Sequence, residues 1–267
     1  MSHAGVWRTP DDLVAKRLLP GVERPDHYAY WRRQAEVASS GLLETTAGLR
    51  ALRCLKVDHD PDGITLWTPA VELIAAEPAE LAAALGRFGL NRLEPADWFA
   101  RRILRDRLAS DEQGAGWTPL SAATDLPVEL RRHCHKLWVR RAQVMAELDR
   151  LPQQVIHGDA HPPNLLRPDG DDMIATDWDQ FGLGPLGFDL AYLLMLSGHA
   201  LDELLTGYQH GSGSAWPTSL VRRGAVLTAA VTVVARAAWC LGQPDPGEHV
   251  ERLLRLADVV AEATHGI

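Results

Sequence analysis

The sequence predicts an α+β chain: a small α/β part over residues 1–70, then a larger, mostly helical part over residues 71–267 with one β-hairpin in its middle. Three observations predict it. Short β-rich runs bounded by turn residues dominate up to Pro69. Beyond it, apolar residues recur at three- and four-residue spacing. That helical pattern breaks once, at "QQVIHGD" and "NLLRPDGDDMIATDW", which read as a strand entering a polar loop, then strand, Asp-Gly turn, strand.

Taken in order, "LVAKRLL" (13–19) reads as a strand stopped by Pro20-Gly21. "RPDHYAYWRRQAEVASSGLL" (24–43) reads as a helix, with Asp26 as its N-cap and Gly41 near its end. "LRCLKVDHD" (52–60) and "GITLWTP" (63–69) flank Asp60-Pro61-Asp62-Gly63, a hairpin turn. Helical spacing then covers 69–90, 95–109 and 126–151, and after the hairpin roughly 187–197, 219–241 and 247–263.

Composition narrows the function. The net charge of −8 argues against nucleic acid as the main partner. No run of eighteen apolar residues is present, so no membrane span is expected. "MSHAGVWRTPDD" lacks the basic-then-apolar pattern of a secretion signal. Cys54, Cys134 and Cys240 are scattered and odd in number, which fits a reducing cytoplasm rather than a disulfide framework. Of 27 basic residues only Lys16, Lys56 and Lys136 are lysines, so each lysine is a rare choice. From Pro168 to Val221 there is no Lys or Arg but there are eight acids, a block suited to metal ions, to a cationic ligand or simply to water.

"VIHGDAHPPNLL" (155–166) carries the densest chemistry. His157 and His161 stand four apart, a zinc-ligand spacing only on a helix; Gly158 and Pro162-Pro163 oppose a helix there. A Gly-x-Ser-x-Gly nucleophile elbow is absent, "GSGS" at 211–214 being the nearest sequence. Phosphoryl transfer fits better. It needs a carboxylate to accept a hydroxyl proton, and an Asn and an Asp to hold Mg²⁺ on nucleotide phosphates. Asp159 and Asn164 are five apart, as in a kinase catalytic loop, and Asp177 follows at the end of the hairpin. Both ends of a hairpin lie together, so the three residues should meet.

"HGDAHPPNLL" followed by "IATDWDQFGLGPLGFDLAYLL" resembles the aminoglycoside phosphotransferase and choline kinase family; "LVAKRL", "YWRRQAEVASSGLL" and "LGRF" extend the resemblance more loosely. The resemblance implies a bilobal protein-kinase-like fold, with an N-lobe over 1–70 and a helical C-lobe over 71–267, and a kinase using ATP (or GTP) and Mg²⁺ on a small-molecule hydroxyl such as that of an aminoglycoside, sugar or nucleoside-like natural product. It implies Asp159 as catalytic base, Asn164 and Asp177 as metal ligands, and Lys16 as the strand lysine on the phosphates. His157 and His161 would shape the loop, and Asp189 would support it.

This sequence departs from the pattern in three places. Only fifteen residues precede Lys16, with Gly5 the sole glycine, so the first strand and glycine-rich loop are missing or cut. Relatives carry Glu where this chain has Gln34, and Glu36 lies about 200° further round a helix; Glu36 is taken as the lysine's partner. Pro69 and Ala70 replace acids at the hinge, leaving backbone groups of Trp67 and Thr68 for a base. The shortened lobe suggests a homodimer or hetero-complex. Asp179, Asp202 and Glu203 are candidate contacts for an amine, against a plain surface role. Alternative functions are a kinase acting on peptide Ser/Thr, possibly with a partner protein, and a degenerate kinase fold that only binds.

Overall fold

The computed structural model describes residues 5–113, 116–243 and 247–267. It has two lobes, and the smaller is built on an antiparallel sheet. β1 (Val6–Arg8) turns through Thr9–Asp12 into β2 (Leu13–Leu18), and the hairpin of β4 (Lys56–Asp60) and β5 (Gly63–Pro69) completes the order β1-β2-β5-β4. Among the described residues one strand therefore precedes that of Lys16, and the turn that follows it contains no glycine. The expected Asp60–Gly63 turn is present; Asp62 N–H donates to Asp60 Oδ1, an Asx turn. Side chains alternate along a strand, and Leu18, Ile64 and Leu66 turn to the face covered by Trp31 and Ala35.

Trp31 and Ala35 mark a departure from expectation. Residues 24–43 do not form one helix: α1 spans only Arg33–Ser40. The preceding segment stays in turns because Arg33, fully buried, draws the carbonyls of Pro25, His27 and Tyr28 onto its guanidinium. Carbonyls turned towards a side chain cannot continue a helical ladder. Gly41 closes α1 in a left-handed conformation, as a C-terminal glycine should.

Residues 70–77 are irregular rather than helical; Ile74 N–H donates to the Leu166 carbonyl as the chain crosses to the larger lobe. The helix begins later, as α2 (Pro78–Phe88), where Pro at the first turn and the Glu77/Glu80 capping box supply a start signal. α3 (Ile103–Gln113) and α4 (Thr118–Ala122) follow, and the expected 126–151 helix divides at Arg140 into α5 (Val128–Val139) and α6 (Arg141–Arg150).

The catalytic-loop region is framed by β6 (Gln153–Ile156), β7 (Leu165–Asp169), β8 (Asp172–Ala175) and β9 (Gly182–Pro185). β7 and β8 form the expected hairpin. A further strand, β3 (Leu49–Ala51), comes over from the first seventy residues and pairs in parallel with β8. β9 pairs antiparallel with β6. Arg50 on β3 binds Asp169 and Asp172, so part of the acidic block is neutralised by arginine from a distant segment.

α7 (Phe188–Ser197), α8 (Leu201–Gly211), α9 (Thr218–Leu241), α10 (Gly247–Arg255) and α11 (Ala257–Ala263) complete the lobe. Its core runs through Phe88, Phe99, Phe181, Phe188 and the Ala/Val-rich face of α9. Among the described residues α9 alone is long and apolar enough to cross a membrane, and 78% of its apolar window is buried inside this fold.

Candidate active site

The site is assembled at the open end of the β7–β8 hairpin. β6 delivers His157, whose side chain is fully buried against Trp178, with ring centroids 4.4 Å apart. Asp159 N–H donates to His157 Nδ1 at 3.3 Å, so Nε2 carries the proton and donates to the Thr176 carbonyl at 2.8 Å. Burial lowers the imidazole's proton affinity, which keeps it neutral. His157 thus ties the strand before the loop to the residue before Asp177.

Gly158 has φ +86, and a Cβ there would come within 2.4 Å of the Gln180 carbonyl oxygen, so the loop requires glycine on both counts. Asp189, in the first turn of α7, accepts the backbone N–H groups of His157 (2.8 Å) and Gly158 (2.9 Å) with its two oxygens. Burial pushes its carboxyl up to about 7, against the pull of those N–H groups. His157 and Asp189 thus both make hydrogen bonds within or onto this loop.

Asp159 and Asn164 meet as their spacing suggested. Asn164 Nδ2 donates to the Asp159 carbonyl (3.0 Å) and lies 3.3 Å from Asp159 Oδ2. His161 Nε2 is 3.3 Å from the same Oδ2. Burial raises the Asp159 carboxyl, but His161 and Arg236 outweigh it and hold it below the ordinary carboxylate range. Asn164 Oδ1 has no hydrogen-bond donor among the described residues. Asp177 closes the hairpin in the left-handed region, φ 63 and ψ 54, which aspartate tolerates better than most residues. Asp179, two residues on, is exposed to solvent. The protein around it, with Asp177 and Asp159, pushes its carboxyl above the usual range.

Lys16 crosses from the sheet lobe and binds Asp177 Oδ1 at 2.7 Å. On the ladder Lys16 stands opposite Leu66, and Val14 opposite Thr68, so Lys16 and Thr68 share the sheet face of Leu18, Ile64 and Leu66. Trp67 lies on the other face. Its indole donates to Asp58 Oδ2 and its carbonyl accepts from Leu55 N–H, so both polar groups are used within the sheet. Glu36 is half-buried on α1 and forms no ion pair among the described residues; the lysine's partner here is Asp177. Gln34 is buried with its Oε1 unpartnered. Asp202 and Glu203 lie on α8, matched with Arg222 and His199.

Sequence reasoning missed the arginines. Arg33 donates to five backbone carbonyls, including that of Asp179 in the turn after Asp177. Arg107 donates to the Tyr192 hydroxyl and the Gln180 amide oxygen. In a chain so rich in arginine, no local pattern distinguishes these two from the rest.

The comparisons agree with this geometry. The profile of the phosphotransferase enzyme family (APH) matches residues 34–220. No curated protein matches by sequence. Among solved structures, a choline/ethanolamine kinase family protein from Mesorhizobium loti superposes with a TM-score of 0.65 at 18% identity, over 97% of this chain and 85% of that one. Wild-type aminoglycoside 2'-phosphotransferase-IIIa, solved with GDP, gives 0.65 at 15%, over 97% and 90%. An aminoglycoside phosphotransferase from Streptomyces rimosus, solved with ADP and streptomycin, gives 0.57 at 19%, over 86% and 90%. At these identities the superpositions establish a shared protein-kinase-like fold, and the profile, spanning well over half of the chain, establishes that the protein belongs to the phosphotransferase enzyme family.

Proposed function

We propose that the protein is a kinase that transfers the γ-phosphoryl group of ATP or GTP to a hydroxyl of a small molecule. The observation that carries this reading is the convergence of Lys16, Asp159, Asn164 and Asp177 from both lobes on one end of the hairpin. Asp159 orients the acceptor hydroxyl and takes its proton; a carboxyl held below the usual range is ionised at neutral pH, as a base must be. Lys16 holds phosphate oxygens once it leaves Asp177. His157, Gly158 and Asp189 fix the loop so that Asp159 needs no rearrangement to act.

The donor set fits Mg²⁺. Among the described residues no group of three or more His, Cys, Asp or Glu could hold a metal by itself. Two hard oxygen donors, Asp177 and Asn164 Oδ1, remain, which suits an ion that completes its shell with nucleotide phosphates and water. When bound, Mg²⁺ neutralises charge on the transferring phosphoryl group. Solved relatives lend support: the two aminoglycoside phosphotransferases named above were solved with GDP and with ADP, and an amicoumacin kinase with AMP-PNP, Ca²⁺ and Ami.

The test is a mass-spectrometric search for phosphorylated products, incubating Mg–ATP and Mg–GTP with a panel of hydroxyl compounds. The wild type should yield product, and Asp159→Asn should slow it by roughly 10²–10⁴-fold without altering the melting temperature. Equal rates for the two proteins would remove Asp159 from the role of base.

A further inference from the structure

Tyr192 lies one turn beyond Asp189 on α7, so it shares the helix face that clamps the catalytic loop. Two guanidinium groups flank its ring. Arg107 reaches it from α3, with Cζ 5.7 Å from the ring centroid, and Arg236 from α9, at 5.4 Å. Arg107 also sits 5.2 Å over Tyr28 and donates to Gln180, the residue packed against Gly158. A line of direct contacts thus leads from the neighbour of Asp159 to both arginines. Arg236 is close enough to stabilise the Asp159 carboxylate and, on its other side, to disfavour the charged forms of His249 and Arg252 on α10.

Neither arginine has a carboxylate partner among the described residues. Arg107 bonds only to a phenol and an amide, and Arg236 forms no hydrogen bond or ion pair. Arg17, Arg50, Arg222 and Arg223 are matched with Asp60, Asp172, Glu262 and Glu147, whereas buried Arg33 is satisfied by five backbone carbonyls. Two half-buried guanidinium groups that feel the Asp159 carboxylate only from a distance, with no carboxylate in contact, are a costly arrangement unless something else supplies a closer anion. The cleft carboxylates are otherwise engaged, Asp177 by Lys16 and Asp159 by its loop.

We propose that the acceptor carries an oxyanion, a carboxylate or a phosphate, beside the hydroxyl that is phosphorylated, and that Arg107 and Arg236 bind it. This rests on Asp159 being the base proposed above. Planar, forked donors suit carboxylate and phosphate oxygens, and their charge repels a polycationic acceptor from the same place. The amine contacts suggested for Asp202 and Glu203 have no counterpart here, since both are matched on α8.

Inorganic sulfate is the probe. It is titrated into the full chain with and without Mg–AMP-PNP, and the arginine Nε–H signals are followed by ¹⁵N NMR in the wild type, Arg236→Ala and Lys16→Ala. The expected result is a saturable shift of the Arg107 and Arg236 signals that survives Mg–AMP-PNP and Lys16→Ala, with binding weakened about tenfold by Arg236→Ala. Absence of a saturable shift at both arginines, or unchanged sulfate affinity in Arg236→Ala, overturns the proposal. So does preferred turnover of glucosamine over glucuronate in the charge-matched set glucosamine, glucose, glucuronate. Intact sulfate shifts in a protein that fails to bind Mg–AMP-PNP would sink the kinase reading while sustaining the anion site.

Discussion

The sheet lobe closes a core of its own around Leu18, Trp31, Ala35, Ile64 and Leu66, whereas the helical lobe buries a continuous core from Phe88 through Tyr192 to Val260. A fully buried large apolar side chain contributes about 1.5–3 kcal/mol, so the small lobe has little to stand on alone. The chemistry is divided accordingly. Asp159, Asn164 and Asp177 sit on the large lobe, near His157 and Asp189, and among the described residues Lys16 reaches Asp177 from the small one. Val37, Leu43 and Leu49 pack into the large core and β3 pairs with β8, and Arg33 adds a polar tie by gathering carbonyls from its own segment and from Trp98 and Asp179 of the other lobe. The contrast teaches that position is supplied by the large lobe, and that the small lobe's lysine is placed by one buried cation as much as by packing.

The sharpest way to break that contrast is Arg33→Ala. It strands carbonyls in a buried site, and roughly 3–5 kcal/mol of stability should be lost in urea unfolding, with α1 and the 24–32 segment gaining the fastest amide exchange. Unchanged exchange there would mean that apolar packing alone holds the lobe. Lys at this position should not restore stability, because three ammonium donors cannot serve five carbonyl contacts.

A smaller effect tests the bracing of the catalytic loop. Burial sets the Asp189 carboxyl at about 7 in the folded protein, against roughly 3.9 for a free aspartate. Between those values the folded chain holds a proton that the unfolded chain has released. Its contribution to stability is complete below the lower value and is lost as pH rises through the upper one. Unfolding free energy measured from pH 4 to pH 8 should therefore fall less steeply in Asp189→Asn than in the wild type; parallel curves would show that Asp189 does not titrate in this range.

The smallest effect is expected at Trp67→Phe. Removing the indole bond to Asp58 should cost about 0.5–1.5 kcal/mol, and KM for nucleotide should stay unchanged, since the ring lies on the sheet face away from Lys16. A raised KM would return Trp67 to the nucleotide site.

The two-part order, the β2 strand, both hairpins and the long α9 helix were legible because periodicity and turn residues speak locally. The meeting of Asp159, Asn164 and Asp177 was legible because a hairpin brings its ends together. Segments shaped by distant partners were not. Residues 24–32 read as helix until Arg33 claims their carbonyls, and 70–77 reads as helix although Leu73 and Ile74 stay exposed and Ile74 N–H bonds to Leu166. β9, "GLGP", has none of the branched residues of a strand and is defined by its pairing with β6. α8 was passed over as acidic surface, although Leu201, Leu204, Leu205 and Tyr208 give the helical spacing. Lys16 was expected to pair on α1, whereas in this structure it pairs with Asp177. Arg107 and Arg236 lie 129 positions apart and meet only over the Tyr192 ring.

The most direct measurement is calorimetric titration of ATP and GTP into the wild type and Asp177→Ala, with and without Mg²⁺. The account predicts nucleotide binding that requires Mg²⁺ and is abolished by Asp177→Ala. Binding that ignores both the metal and the substitution, or no binding to either protein, would contradict it.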